Sequence, residues 1–265
     1  MTVEQVAAEL LCSPSKVSRM ETGSRAATLR DVRDLCDLYE VTEPAERVRM
    51  SRLATEGKQQ GWWQSYDLVD YFVTYVGLEA EAARLMVFRC TIVPGLLQTP
   101  GYARAMHKSG VPEISAKRTE EYIEVRLTRQ SLLTGDPSLT LVTVIDEAML
   151  HRVVGGPAVM AEQLDRLVEE ARMPNITIRV IPNEVGAYPA MDSNFNILEF
   201  HRNTSSVVYV EGLVGWIYLE RPQDLTRYTE VFERLLEIAL NPQESIELMS
   251  RIGAQYKRRA IARHQ

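Results

Sequence analysis

Residues 12–23 read C-S-P-S-K-V-S-R-M-E-T-G, a stretch that leaves the backbone little choice. A serine hydroxyl accepts from an early helix N–H, proline at the first helical position has its φ already set and no donor to lose, and glycine ends the helix. Ser13, Pro14 and Gly23 therefore bracket a short helix running to about Glu21. Upstream, Thr2 and Gln5 stand at capping-box spacing and Val3, Val6, Ala7 and Leu10 recur at helical intervals, predicting a helix over Val3–Leu11. Downstream, Thr28 and Asp31 repeat the capping pair, and Leu29, Val32, Leu35, Cys36 and Tyr39 fill one face of a third helix. A fourth is expected over Pro44–Thr55.

Two short helices joined by a turn of about three residues have helix-turn-helix geometry, in which the second helix enters the major groove by its N-terminal half. In that helix Val17 and Met20 face inward, so Ser15, Lys16, Ser18 and Arg19 point outward, and Ser13 stands at its start. Short hydroxyls allow close approach, and the cations suit base edges and phosphates. Arg25 and Arg30 are placed to meet phosphates. Residues 13–33 carry five cations against two carboxylates, a local +3 inside a chain of net charge −6. The same spacing also suits a generic helical bundle with a charged face.

The run A-A-E-L-L-C-S-P-S-K-V-S-R-M-E-T-G-S-R-x-x-T-L-R-D-V resembles the Xre, or phage-repressor-like, helix-turn-helix family, which reads A-x-x-L-G-x-S-x-S-x-V-S-R-x-E-x-G. Ser13, Ser15, Val17, Ser18, Arg19, Glu21 and Gly23 match over roughly the first 55 residues. The resemblance implies double-stranded operator DNA as partner, and half-site geometry leads us to expect a homodimer. That family places another helix before the position of Met1, so the sequence leads us to expect a true start upstream or a truncated, weakened unit.

The 265 residues are 45% apolar, ordinary for a folded protein, and no run approaches the ~20 apolar residues of a membrane span. MTVEQVAAELL lacks the basic start of a signal peptide, so a cytoplasmic location without membrane partners is expected. Cys12, Cys36 and Cys90 form no C-x-x-C pair, and His107, His151, His201 and His264 have no ligand spacing, so neither metal nor cofactor is expected. A second basic cluster, Lys257, Arg258, Arg259 and Arg263, reads as the solvated end of the last helix.

The expected fold class is α+β: an all-α unit over residues 1–55, a linker over 56–61, and a larger mixed α/β domain over 62–265. Trp62, Trp63 and Tyr66 open its core. Residues 71–90 read ambiguously between helix and strand. A helix begins near Thr99–Tyr102, and a charged amphipathic helix covers Glu120–Leu133, with Arg126 and Arg129 outside its apolar stripe. L-T-L-V-T-V-I and I-T-I-R-V-I-P are strands separated by a helix over Gly156–Met173. F-N-I-L-E-F and S-V-V-Y-V form a hairpin pair, and helices over Pro222–Leu240 and Pro242–Ala262 close the chain.

These segments, with V-P-G-L-L-Q-T-P-G-Y-A-R-A, R-L-T-R-Q-S-L-L, V-I-D-E-A-M-L-H-R-V-V-G-G and A-L-N-P-Q-E-S, resemble the large C-terminal domain of actinobacterial Xre-type regulators. The resemblance implies a domain of poorly defined, antitoxin-like function, commonly encoded beside a short companion protein. Trp63, Gln98, Tyr102, Arg126 and Arg129 lie in the matching segments and are candidates to meet an effector or partner.

No catalytic constellation stands out, and an enzyme is not expected. Asp146 and Glu147 suit a helix cap. Gly155-Gly156-Pro157 lacks the lysine of a phosphate loop and reads as a turn, and 183–193 is long enough for a ligand loop. The sequence thus points to a sequence-specific DNA-binding transcription regulator whose C-terminal domain takes a small molecule or companion protein. An antitoxin-like interaction module is the alternative.

Overall fold

The computed structural model describes residues 1–22, 25–56, 62–66, 68, 70–109, 115–200, 205–212 and 215–262. The chain divides into compact units between Gln64 and Ser65. Gly23, most of the expected linker, His201, Arg263 and His264 lie outside the described residues.

The N-terminal unit holds α1 (Val3–Glu9), α2 (Pro14–Glu21), α3 (Leu29–Leu38) and α4 (Pro44–Glu56). Their starts are set locally. Thr2 and Gln5 form a full capping box, the Ser13 hydroxyl accepts from Lys16 N at 3.2 Å with Pro14 following, and Thr28 and Asp31 form a second box. Val6, Ala7 and Val17 are the buried centre, with Leu10, Met20, Leu35 and Leu38 packed around it. Leu29 and Tyr39, expected on the inner face of α3, are half-exposed instead at 50% and 51%. They stand at the two ends of that helix, beyond the small core its middle turns cover.

α1 ends through Leu11, which takes φ +49 and is 94% exposed. Cys12 N donates back to the Ala7 carbonyl at 2.9 Å across this left-handed residue. The pattern quoted above has glycine here. A Cβ in this conformation costs about 1–2 kcal/mol, and the exposed side chain returns almost nothing. Leu11→Gly is therefore expected to raise the stability of this unit by about 0.5 kcal/mol after the extra freedom of glycine in the unfolded chain is counted. Thermal melting is the check; a lowered midpoint would show that Leu11 makes a contact worth keeping.

The larger unit is built on β1 (Ala82–Arg89), β2 (Thr140–Asp146), β3 (Ile176–Ile181), β4 (Phe195–Phe200), β5 (Val207–Gly212) and β6 (Gly215–Leu219), in the order β3-β2-β1-β4-β5-β6. β1, β2 and β3 are parallel, and β4, β5 and β6 continue the sheet antiparallel. The helices are α5 (Asp70–Glu81), α6 (Pro100–Lys108), α7 (Ala116–Gln130), α8 (Glu147–His151), α9 (Pro157–Glu170), α10 (Pro222–Ile238) and α11 (Pro242–Ala262). The ambiguous run resolves into helix then strand, changing at Glu81. β6 was not anticipated from the sequence.

Strand side chains alternate between faces, so each strand feeds two cores. Leu85 and Val87 join Leu141, Ile178 and Leu198 on one face, with Leu164 and Leu167 of α9 and Met249 and Ile252 of α11. Met86 and Phe88 join Val144, Phe195 and Val208 on the other, with Phe232 and Leu235 of α10. The first face also carries polar groups. Arg89 follows Leu85 and Val87 in the same period, and the paired residues Val87, Asn196 and Tyr209 form one row across β1, β4 and β5.

Candidate functional site

Two places in the chain present chemistry. In the N-terminal unit, α2 buries Val17 at 2% exposure while Ser13, Ser15, Ser18 and Arg19 are exposed. Arg19 Nε donates to the Ser15 carbonyl at 3.2 Å, which lays the guanidinium along the helix. Arg25 and Arg30 are exposed as expected, Arg30 standing 3.5 Å from Asp34. Lys16 differs from the sequence reading. Its ammonium is paired with Asp31 and its side chain is only 26% exposed, so it links α2 to α3 rather than standing free on the outer face. The reason is the second capping box, which buries Asp31 and turns its other oxygen to Thr28 N at 2.9 Å. Burial alone would raise the Asp31 pKa, but hydrogen bonds from Lys16 and Thr28 outweigh it and hold the carboxyl at about 2.

The second place is a cavity of about 270 Å³ in the larger unit. Its floor is the Val87–Asn196–Tyr209 row. α5 faces it with Phe72, Tyr75 and Glu79, at one-face helical spacing, and α7 with Arg126 and Arg129, one turn apart. The turn from Ile92 to Gln98 and Met106 and His107 of α6 complete the walls. Glu79 and Arg129 form a bidentate pair at 2.6 and 2.8 Å, both nearly inaccessible to solvent. Tyr75 donates to the same carboxylate at 2.8 Å, and Asn196 Nδ2 donates to the Tyr75 oxygen at 2.7 Å. Burial first, then the Glu79 charge, drives the Tyr75 phenol well above its ordinary pKa. Burial opposes the Arg129 charge, but Glu79 outweighs it and keeps that guanidinium protonated.

Arg126 is treated differently. Its Nη1 donates to Gln98 Oε1 at 2.5 Å, its buried Nε has no hydrogen-bond partner, and no carboxylate among the described residues pairs with it. Burial and the neighbouring Arg129 lower its pKa to about 10, still charged at neutral pH. Gln98 is itself fixed, donating to the Val93 carbonyl at 2.6 Å and accepting Gln130 Nε2 on its own carbonyl at 2.7 Å. Arg89 gives Nη1 to the Phe88 and Phe195 carbonyls at 2.8 and 3.1 Å. The buried His107 Nε2 and Asn196 Oδ1 are also without hydrogen-bond partners among the described residues. Burial and then Arg126 lower the His107 pKa, so its ring is neutral at pH 7.

This cavity falls inside the region, residues 72–251, that matches the model of a domain of unknown function, DUF5753. The chain belongs to the DUF5753 family. Residues 1–50 match a helix-turn-helix domain model, in agreement with α1 and α2. No curated protein matches the chain.

Of the residues picked from sequence in the DUF5753 segments, Gln98, Arg126 and Arg129 meet at the cavity. Arg126 and Arg129, expected outside the apolar stripe of α7, are turned inward because Glu79 supplies the counter-charge for one of them. Tyr102 is not a wall residue. It is 1% exposed in the core, its hydroxyl 3.4 Å from Val93 N. Trp63 falls in the N-terminal unit, half-buried and edge-on to Trp62 at 5.8 Å.

The other sequence candidates have structural employment. Asp146 caps α8, accepting Ala148 N at 2.6 Å, and its second oxygen accepts the Tyr188 hydroxyl. Glu147 accepts Asn183 N at 2.9 Å. The loop 183–193 is thereby tied down at Asn183 and Tyr188. Gly155 and Gly156 make the turn into α9 with φ of +69 and +99. Lys257 pairs with Asp165 at 2.8 Å. Among the described residues no group of three His, Cys, Asp or Glu could hold a metal ion, and no helix is long and apolar enough to cross a membrane.

Glu79, Arg89 and Asn196 were missed. The strand alternation L-x-V-x-R over 85–89 was a usable signal for Arg89, since it places the arginine on the face of two apolar neighbours.

Proposed function

We propose that the protein is a sequence-specific DNA-binding transcription regulator, non-enzymatic, whose DUF5753 domain receives an effector. The observation that carries this is α2, a short helix capped by Ser13 and following α1 across a tight turn, with its serines and Arg19 exposed and Val17 buried. As a homodimer, two such helices would sit about 34 Å apart in successive major grooves. Leu29, Tyr39, Val48 and Leu53 are exposed apolar groups on α3 and α4 that a second copy would cover. The resemblance of residues 7–32 to the Xre pattern supports the same assignment. Arg19, Ser15 and Ser18 would meet base edges, and Arg25 and Arg30 phosphates. Lys16 would act first as the tie to α3.

The test is fluorescence anisotropy of the full chain with its own upstream intergenic duplex and a scrambled one, across a salt series. Tighter binding to the native duplex is expected, falling steeply with salt, at two chains per site. Arg19→Ala should weaken native binding by about 1–3 kcal/mol and narrow the gap between the duplexes. Equal, weak binding to both duplexes would sink the DNA-reading assignment and turn attention to the interaction-module reading.

A further inference from the structure

We propose that the cavity over β1, β4 and β5 receives a small aromatic carboxylate that also carries a hydrogen-bond donor. This deepens the effector half of the function proposed above, and rests on it only in that residues 65–265 take a ligand.

Charge decides the anion. Among the described residues the walls hold three arginines, Arg89, Arg126 and Arg129, against two carboxylates, Glu79 and the exposed Glu211, leaving one positive charge in excess. Arg129 is saturated by Glu79, and Arg89 is held by carbonyls. Carbonyls hold Arg89 without cancelling its charge, but Arg126 is the arginine left with an unused donor: its fork is held at one end by Gln98 while its buried Nε meets no partner among the described residues. Natural proteins seldom leave a shielded cation half-satisfied, because an unmade charged hydrogen bond is costly. A planar carboxylate matches the remaining edge of the guanidinium.

The rest of the ligand follows from the other walls. Phe72, Tyr75, Tyr209 and Trp216, with Leu85 and Val87 beside them, suit a flat apolar body. Asn196 is 2% exposed, and its Nδ2 is committed to Tyr75, which fixes its Oδ1 as an acceptor with nothing to accept. That atom calls for a ligand hydroxyl or N–H. About 270 Å³ equals the liquid volume of roughly nine waters, enough for one ring with short substituents.

The experiment is calorimetric titration of the full chain, without DNA, with the three hydroxybenzoate isomers, benzoate, methyl 4-hydroxybenzoate and inorganic phosphate. At least one hydroxybenzoate is expected to bind one per chain, about tenfold or more tighter than the neutral ester, benzoate or phosphate. Arg126→Gln should remove that advantage while the unliganded protein melts no lower, since a shielded cation that no described carboxylate pairs with is lost. Gly95→Leu is the second variant. A Cβ there would stand 3.4 Å from Arg126 Nη1, so the longer side chain fills the site and should abolish binding even if Arg126→Gln fails to fold. Acid and ester binding alike would keep a ligand pocket but overturn the anion; phosphate binding as well as the acids would make it an inorganic anion site. Benzoate matching the hydroxy acids would overturn the role of Asn196. No binding by any aromatic acid up to about 10 mM would overturn the proposal outright. None of these outcomes touches the DNA assignment, whose own titration contains no such ligand.

Discussion

Glu79→Gln is expected to destabilise the larger unit by about 3–5 kcal/mol, the usual cost of stripping one member from a buried ion pair. Glutamine keeps the size of the side chain and can still accept one hydrogen bond. It cannot supply the charge that Arg129, at 5% exposure, has nowhere else to find. The stacking of Arg129 against Phe72 and Tyr75, at 5.2 and 5.4 Å from their ring centres, is worth far less than the lost pair. Urea unfolding of the larger unit's transition reads the loss. The double variant Glu79→Leu with Arg129→Met should recover most of it, because removing both charges removes the desolvation cost of both. A loss below about 1 kcal/mol in Glu79→Gln would mean that water reaches the pair. Arg126, one turn away on the same helix, provides the contrast: no carboxylate among the described residues pairs with it, so its neutralisation should cost little. Two arginines that look alike in sequence are thus separated by a carboxylate from α5.

That separation marks how far the sequence could be read. The starts of α1, α2 and α3 were legible because each is decided within four residues, by Thr2 with Gln5, Ser13 with Pro14, and Thr28 with Asp31. The runs of β2, β3, β4 and β5 were legible from alternation, while β1 read ambiguously and β6 was not anticipated; Gln98, Arg126 and Arg129 were named as lying in matching segments, which said nothing of their meeting. What set their roles was not local. Glu79 and Arg129 are 50 residues apart and Asn196 and Tyr75 are 121 apart, so no periodicity could show that Arg129 is neutralised and Arg126 is not. Tyr102 and Trp63 were named on the same ground, as aromatic residues in the matching segments. Packing put the first into the core under the Val93–Gln98 turn, and the second lies in the other unit. Lys16 failed for a similar reason. A helical wheel turns it outward, but a lysine stem is long enough to reach back to a carboxylate on the next helix.

The Lys16–Asp31 pair carries the second large effect. Asp31→Ala removes the partner of Lys16 and half of the α3 capping box together, and should cost the N-terminal unit about 2–3 kcal/mol. For a unit of this size that lowers the melting midpoint by roughly 10–20 °C, and total stability of ~0.05–0.15 kcal/mol per residue leaves little in reserve. The same pair predicts a pH dependence. The Asp31 carboxyl titrates at about 2 in the folded unit, below its ordinary 3.8. A depressed folded pKa contributes stability that is fully present above the unfolded value and is lost as pH falls towards the folded one. The unit should therefore lose about 2 kcal/mol between roughly pH 5 and pH 2, most of it below pH 4. Asp31→Asn tests the cause, since it retains shape and some capping while removing the charge. Its stability should start lower and fall much less over the same range. An equal acid slope in Asp31→Asn would assign the loss to other carboxylates, and the tie between α2 and α3 would then have to rest on packing around Val17.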